Sequence, residues 1–100
     1  MNIDAIVAIA ADHPATAGHF PGRPILPGAL LLDLVIRAAR AAGVPLSADL
    51  SAPVVKFHAT VLPGQQVRLH FVARGSSIGF EGFVHTTRVV SGTLSSAGPP

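Results

Sequence analysis

A loop rich in glycine and proline carries the side chain best suited to proton transfer in this sequence. Residues 18–28 contain three glycines and three prolines around His19. Proline fixes φ and glycine permits positive φ, so such a loop loses little entropy on ordering and holds a side chain in place. Imidazole has an unperturbed pKa of about 6.5, which suits a general base near neutral pH. The pattern therefore indicates His19 as a candidate base.

The start of the following helix offers an oxyanion donor and an acid. Gly28 is predicted at the helix N-terminus, where free backbone N–H groups and the helix dipole favour a developing negative charge. Asp33 comes one turn into an otherwise apolar helix, and burial there favours the protonated, proton-donating form. A second interpretation stays open, because Arg37 follows Asp33 by four residues. An ion pair between them would neutralise the carboxylate instead.

One long apolar helix must position these groups. It is predicted over residues 29–42, with Pro27 before its first turn and Gly43 and Pro45 after its last. Leu, Ala, Val and Ile occupy nearly every face, which is typical of a helix buried on several sides. In a chain of 100 residues, a sheet must wrap this helix.

Alternating apolar and polar residues predict β-strands around that helix. The alternation is clearest in two stretches joined by a turn at Pro63 and Gly64, and it is typical of strands with one dry and one wet face. The fold class is therefore α+β: a curved antiparallel sheet, with a meander of about four strands after the helix, wrapped around one long central helix. The predicted strands span residues 3–10, 54–62, 66–74, 78–86 and 89–95.

Composition favours one domain that assembles with a second copy. Hydrophobic residues make up 49% of the chain and charged residues 12%, which leaves a small monomer with excess apolar surface. We expect one domain over residues 1–95, a disordered tail over 96–100, and a homodimer or higher homo-oligomer. The absence of cysteine excludes disulfides and thiolate catalysis. No apolar run is long enough to span a bilayer and no signal peptide is evident, so a cytoplasmic protein without membrane contact is expected.

The net charge and the distribution of charged residues indicate which classes of partner are expected. The net charge is +2, the basic residues are scattered, and the aromatic residues are five Phe. A nucleic-acid binder of this size carries a basic stripe, often with stacking aromatics, so no nucleic acid is expected. A mild positive field favours an acidic protein partner. Three histidines on predicted polar strand faces are expected to be solvated, and no histidine spacing indicates a metal site; they are His58, His70 and His85.

The loop and helix together resemble a known enzyme family. His-Phe-Pro-Gly-x-Pro-Ile-x-Pro-Gly at residues 19–28, with a carboxylate 14 residues after the histidine, is similar to the signature of the β-hydroxyacyl-acyl-carrier-protein dehydratases, the FabA/FabZ family. Residues 55–65 resemble that family's K-F-x-x-x-V-x-P-G-D strand ending, and the likeness covers about residues 10–95. Asp33 matches the FabA branch, whereas Leu-Val-Ile-Arg at 34–37 replaces the family's Ala-Met-x-Gln. The resemblance implies a hotdog fold.

The resemblance also implies a role for each group. His19 would be the base, Asp33 the acid, and the Gly28 backbone N–H the donor to the thioester carbonyl, with Phe20 binding substrate. The implied activity is that of a 3-hydroxyacyl-[acyl-carrier-protein] dehydratase, a lyase of fatty acid biosynthesis, which converts a (3R)-3-hydroxyacyl thioester to a trans-2-enoyl thioester. The acyl group would be carried on the phosphopantetheine of acyl carrier protein, with no further cofactor and no metal. Histidine and acid would come from different protomers.

Two other functions stay open. A catalytically weak hotdog subunit would bind acyl carrier protein and pair with an active partner as a heterodimer, and the spacing of Asp33 and Arg37 favours it. An acyl-ACP or acyl-CoA thioesterase would use a helix carboxylate to activate water, which leaves the loop around His19 without a purpose. The five phenylalanines are expected in the core or in the walls of an acyl tunnel; they are Phe20, Phe57, Phe71, Phe80 and Phe83.

Overall fold

A computed structural model of the chain describes residues 1–10 and 26–96. All five strands of this part form one antiparallel sheet in the order β1-β3-β4-β5-β2, and one helix packs against it. The arrangement is α+β, as predicted, and is consistent with the hotdog fold. In chain order the elements are β1 (Asn2–Ala8), α1 (Gly28–Ala41), β2 (Leu50–Phe57), β3 (Gln66–Arg74), β4 (Ser77–Val84) and β5 (Thr87–Ser96).

The central strands β3, β4 and β5 form a meander of three strands, one fewer than predicted. β3 has the bounds that its alternation predicted, because every second side chain enters the core: Val67, Leu69 and Phe71 are buried. Directly across the β3–β4 ladder, Phe71 pairs with Phe80, which is also buried. Two of the five phenylalanines therefore lie in the core, as expected.

β2 does not form the predicted hairpin with β3. It ends at Phe57 rather than at residue 62, and it pairs with β5 on the far side of the sheet. The segment after β2 leaves the sheet and holds the start of the helix instead, where the Val61 carbonyl accepts a hydrogen bond from the Leu26 amide at 2.8 Å. Val61 is buried in that position. It fits the apolar alternation because it packs in the core, although it does not belong to a strand.

β2 is an open edge strand with an irregular ladder. The register to β5 shifts between Ser51 and Val54, and Pro53, which lacks an N–H, lies at this shift as prolines in edge strands commonly do. Val54 and Phe57 are 47% and 49% exposed. Phe57 belongs to the predicted apolar face of β2 and stays half-exposed in this chain, whereas Val55 on the same face is partly buried against the core.

α1 is buried along one side only. It has 14 residues, about four turns, the number predicted over residues 29–42, and is a short helix rather than the long central helix expected. Its inward side, formed by Leu31, Val35 and Ala39, faces the sheet, and each of the three is at most 3% exposed. The prediction of burial on several sides does not hold for the single chain, because one sheet covers one stripe of a helix. The residues flanking that stripe are partly buried: Leu30, Leu32, Leu34, Ile36 and Ala38.

Polar pairs lie on the solvent face of the sheet. His70 Nδ1 lies 2.6 Å from Asp4 Oδ1 on the neighbouring strand, and Arg68 donates to the His85 carbonyl at 2.6 Å. These groups are exposed, as expected, but each has a partner in the chain. Within residues 1–10 and 26–96, no helix has the length and apolarity needed to cross a membrane.

Candidate active site

Among residues 1–10 and 26–96, no side chain caps the N-terminus of α1. Pro27 is the N-cap residue and makes no side-chain hydrogen bond there. Its carbonyl accepts hydrogen bonds from the amides of Leu30 and Leu31 at 3.1 and 3.0 Å. The first amides of an α-helix have no acceptor inside the helix, so the Gly28 N–H is available to an oxygen brought by a ligand. The helix dipole adds a favourable potential for negative charge.

A cavity of about 430 Å³ opens beside this helix start. The first turn of α1 forms one wall, and residues 57–61 form the other. Apolar side chains dominate the described part of the lining, to which His58 and Thr60 contribute polar side chains. A cavity of this kind suits a ligand with an apolar body and few polar groups.

The Phe57 ring lies directly over Gly28. A Cβ atom built on Gly28 would come 3.0 Å from the tip of this ring, a distance at which the ring has to move. Glycine therefore leaves room for an aromatic wall close to the helix amides. Phe57 is half-exposed and lines the cavity, which fits the tunnel-wall role that the sequence allowed for it.

Asp33 forms the ion pair that the sequence left open. Arg37 Nε donates to Asp33 Oδ2 at 2.8 Å. The Arg37 side chain is 75% exposed and the Asp33 side chain is 48% exposed, so the expected burial of Asp33 is not present in the single chain. The reason is helix geometry, because α1 packs with one stripe and Asp33 lies outside that stripe.

Asp33 does not face the cavity of its own chain. It follows Gly28 by five residues, and at about 100° per residue the two side chains point about 140° apart around the helix axis. Arg37 and Arg40 share its direction, and these three residues form the outward side of α1. Asp33 is accordingly absent from the residues that line the cavity. The structure thus brings Gly28, Phe57 and the cavity together but leaves Asp33 facing away from the chain's own core.

Two of the residues singled out in the sequence, His19 and Phe20, lie outside the residues that the structure describes. Their roles as base and substrate-binding residue stay predictions, as do the proton-donating role of Asp33 and the oxyanion role of Gly28. The proposed tail over residues 96–100 falls partly in β5, which runs to Ser96, and otherwise outside the described residues.

Sequence analysis missed His58 as a residue of the cavity. It was predicted on a strand, whereas it lies past the end of β2 and lines the cavity wall; its side chain is exposed, as expected. Its Nε2 is 2.8 Å from Ser91 Oγ on β5. The alternation of apolar and polar residues continues past the end of β2. The sequence alone therefore does not show that His58 lies outside the strand.

The described residues offer no ready metal site. Within residues 1–10 and 26–96, no group of three or more His, Cys, Asp or Glu side chains is arranged to hold a metal ion. The expectation of metal-free chemistry stays a prediction.

Comparisons with known proteins identify relatives over most of the chain. The family profile of ApeI-like proteins, described as ApeI dehydratase, matches residues 1–93. A 3-hydroxyacyl-[acyl-carrier-protein] dehydratase FabZ of Rhizorhabdus wittichii is 36% identical, over 80% of this chain and 59% of that protein. The FabZ of Chlamydia trachomatis is 32% identical, over 95% of this chain and 73% of that protein. The chain spans about three fifths of the length of the first curated relatives that it matches.

Solved structures share the fold at lower identity. The dehydratase heterocomplex ApeI:P from Xenorhabdus doucetiae contains a chain that superposes with a TM-score of 0.77 at 22% identity, over 94% of this chain and 85% of that one. A fluoroacetyl-CoA thioesterase, FlK, superposes with a TM-score of 0.66 at 17% identity, over 94% of this chain and 83% of that one. At these identities the likeness extends to the fold alone, and it includes enzymes of different activity.

Proposed function

The chain belongs to the ApeI-like dehydratase family, among the FabA/FabZ-like dehydratases, and from this premise we propose that it removes water from a (3R)-3-hydroxyacyl thioester. The product is a trans-2-enoyl thioester. The proposed carrier of the acyl group is the phosphopantetheine arm of acyl carrier protein, and the proposed setting is fatty acid biosynthesis, because the FabZ relatives are named for that carrier.

The observation that carries this proposal is the uncapped start of α1 beside an apolar cavity. Gly28 begins the helix and lines the cavity, which supports the proposal that its N–H donates to an oxygen bound there. A thioester carbonyl there gains stabilisation as negative charge develops on its oxygen. The apolar lining accepts the acyl chain, and the Phe57 ring packs against it.

The proposed chemistry uses three groups. His19 removes a proton from C2, and the electron pair moves toward the thioester carbonyl, whose oxygen the Gly28 N–H stabilises. The pair then forms the C2=C3 double bond as the C3–O bond breaks. Asp33 supplies the proton that turns the departing hydroxyl into water. The proton gained by His19 and the proton lost by Asp33 balance, so the enzyme returns to its starting state by exchange with solvent.

A second copy of the chain completes the proposed site. Asp33 faces away from its own cavity, half-exposed among partly buried leucines of α1. A partner chain packed beside this side brings the Asp33 carboxyl to its own cavity, while the long Arg37 side chain keeps its guanidinium in solvent. The open edge of β2, with Val54 and Phe57 exposed, offers the strand for a continuous ten-stranded sheet. A homodimer is proposed; a heterodimer with a related chain is the other arrangement, because ApeI:P is a heterocomplex.

The ion pair favours one alternative function. If Arg37 keeps Asp33 as a fixed carboxylate acceptor, the chain is a poor proton donor. It would then act as a weak subunit beside an active partner. A thioesterase has no comparable support from the described residues, since the FlK likeness reaches only the fold.

One side-by-side assay tests the function. Purified protein is incubated with a 3-hydroxyacyl thioester and, separately, with the saturated acyl thioester of equal length. Dehydration of the first without hydrolysis of the second supports the proposal. Hydrolysis of the saturated thioester indicates a thioesterase instead. No reaction with either supports the weak subunit.

The base is tested by His19→Asn. We expect turnover to fall by roughly 10²–10⁴-fold, the usual contribution of a positioned base, while the melting temperature is kept. His85→Asn is the matched control, since His85 has φ of 53°, which asparagine tolerates. Activity of His19→Asn within threefold of the wild type would exclude His19 as the base.

A further inference from the structure

An exposed ion pair on the outward side of α1 adds little to the packing of the chain. Arg37 Nε donates to Asp33 Oδ2 at 2.8 Å, and the Arg37 side chain is 75% exposed. A pair with this exposure contributes little to stability. We propose that Arg37 is a positioning residue for the proton-donating carboxyl of Asp33, an inference that rests on the function proposed above.

The contact distinguishes the two oxygens of the carboxyl. A protonated carboxyl has one oxygen that carries the proton and one that only accepts. Oδ2 accepts the hydrogen bond from Arg37, so the proton belongs on Oδ1. Arg37 thereby sets both the rotamer of Asp33 and the oxygen that meets the C3 hydroxyl of the substrate.

The attraction between the Arg37 guanidinium and Asp33 increases as Asp33 loses its proton. When Oδ1 gives its proton to the departing hydroxyl, the C3–O bond breaks, water forms and Asp33 becomes a carboxylate. Arginine stays charged, so its attraction for Asp33 is stronger after the transfer than before it. An interaction that strengthens toward the transition state raises kcat rather than lowering KM. Arg37 therefore acts on turnover, through Asp33, without touching the substrate.

Arg40 lies on the same side of the helix but makes a different contact. Its guanidinium donates to the Ser47 carbonyl beyond the end of α1 at 3.4 Å, and it is exposed like Arg37. The two arginines thus share residue type, charge and direction. Arg37 contacts the Asp33 carboxyl, whereas Arg40 contacts the Ser47 carbonyl. This difference makes Arg40 the matched control for Arg37.

The experiment compares Arg37→Met, Arg40→Met and Arg37→Lys with the same 3-hydroxyacyl thioester. We expect Arg37→Met to lower kcat roughly 10- to 100-fold, as loss of exact placement of a reacting group does, with KM and melting temperature unchanged. Arg40→Met keeps kcat. Arg37→Lys recovers part of the loss, because lysine at this spacing still reaches the carboxyl as a point charge.

A double-mutant cycle ties the effect to Asp33. In an Asp33→Asn background, Arg37→Met should lower the residual kcat no further, because the group that it positions no longer donates a proton. An equal loss in that background would overturn the inference, as would a rise in KM shared with Arg40→Met, which indicates charge recognition of the carrier. An unchanged kcat in Arg37→Met also overturns it.

The wild-type measurement separates the two proposals. A wild-type chain that dehydrates the thioester, with Arg37→Met equally active, contradicts the positioning role and leaves the function standing. A wild-type chain that does not dehydrate it contradicts the proposed function, and the positioning role for that reaction falls with it. Three-bond Hα–Hβ couplings of Asp33 give a readout independent of turnover: we expect one rotamer in the wild type and averaging in Arg37→Met.

Discussion

The inward and outward sides of α1 differ in the contacts that their side chains make. On the inward side, Leu31, Val35 and Ala39 are fully packed against the sheet. On the outward side, Asp33 and Arg37 contact each other and are half-exposed or more. Residues of the first kind decide whether the chain folds, since buried apolar area is the main source of stability. Residues on the outward side contribute little buried apolar area to the single chain. Polar side chains can therefore occupy that side without loss of packing against the sheet.

The sharpest test of this division is Asp33→Asn. We expect turnover to fall by roughly 10²–10⁴-fold through loss of the proton donor, while the melting temperature holds or rises. Turnover and thermal unfolding are measured on the same preparations. Asp49→Asn, which removes an exposed carboxylate away from the helix, should leave both unchanged. A large fall in melting temperature with activity intact would instead make the ion pair structural and favour the weak-subunit function.

Substitutions on the inward side should lower stability and leave turnover nearly unchanged. Val35→Ala removes two methyl groups at a position with 0% exposure, and we expect it to lower the free energy of unfolding by about 2 kcal/mol. The activity of the folded fraction should change little. Ile6→Ala, a larger truncation at a position on β1 with 64% exposure, should cost less than about 1 kcal/mol. Urea denaturation measures both, and equal losses would mean that burial in the chain does not distinguish the positions.

Gly28 lies where the inward side meets the cavity, and its replacement should affect binding. In Gly28→Ala the new methyl meets the Phe57 ring. We expect a loss of about 1 kcal/mol in substrate binding, or roughly fivefold in KM. Stability should hold, because alanine favours the helix by about 1 kcal/mol over glycine. The double variant Gly28→Ala with Phe57→Leu should recover KM; failure to do so would place the cause elsewhere than in the ring.

The smallest effect expected is that of Arg37→Met on stability. The pair with Asp33 is largely exposed, and we expect its loss to change the free energy of unfolding by less than about 1 kcal/mol. Chemical denaturation at low and high salt measures it. A loss above about 2 kcal/mol would show that the outward side also holds the fold, and would remove the contrast between the two sides.

Local patterns predicted the elements better than their pairing. The bounds of β3 were predicted correctly, because Val67, Leu69 and Phe71 alternate in the core. The partner of β2 was not, because a Pro-Gly step between two apolar stretches resembles a hairpin turn. The segment after β2 is instead fixed by long-range contacts, such as the Leu26 amide to the Val61 carbonyl. Such contacts leave no local signal.

The candidate site was predictable in part for the same reason. The place of Gly28 at the start of the helix and the ion pair between Asp33 and Arg37 were predicted from position and spacing, whereas the catalytic roles of Gly28 and Asp33 stay predictions. The exposure of Asp33 was missed because a nearly uniform apolar composition hides which stripe meets the sheet. His58 was missed because the alternation of the sequence continues past the end of β2.

The direction in which Asp33 points has a consequence for mixtures of chains. With base and acid on different chains, a dimer of one His19→Asn and one Asp33→Asn chain has one site with both defects and one with neither. Equal amounts of the two variants, allowed to exchange subunits, form such mixed dimers in half of all pairings. Two preparations that are nearly inactive alone should therefore regain about a quarter of the wild-type activity when combined. Chains that carry both groups in one site would regain none.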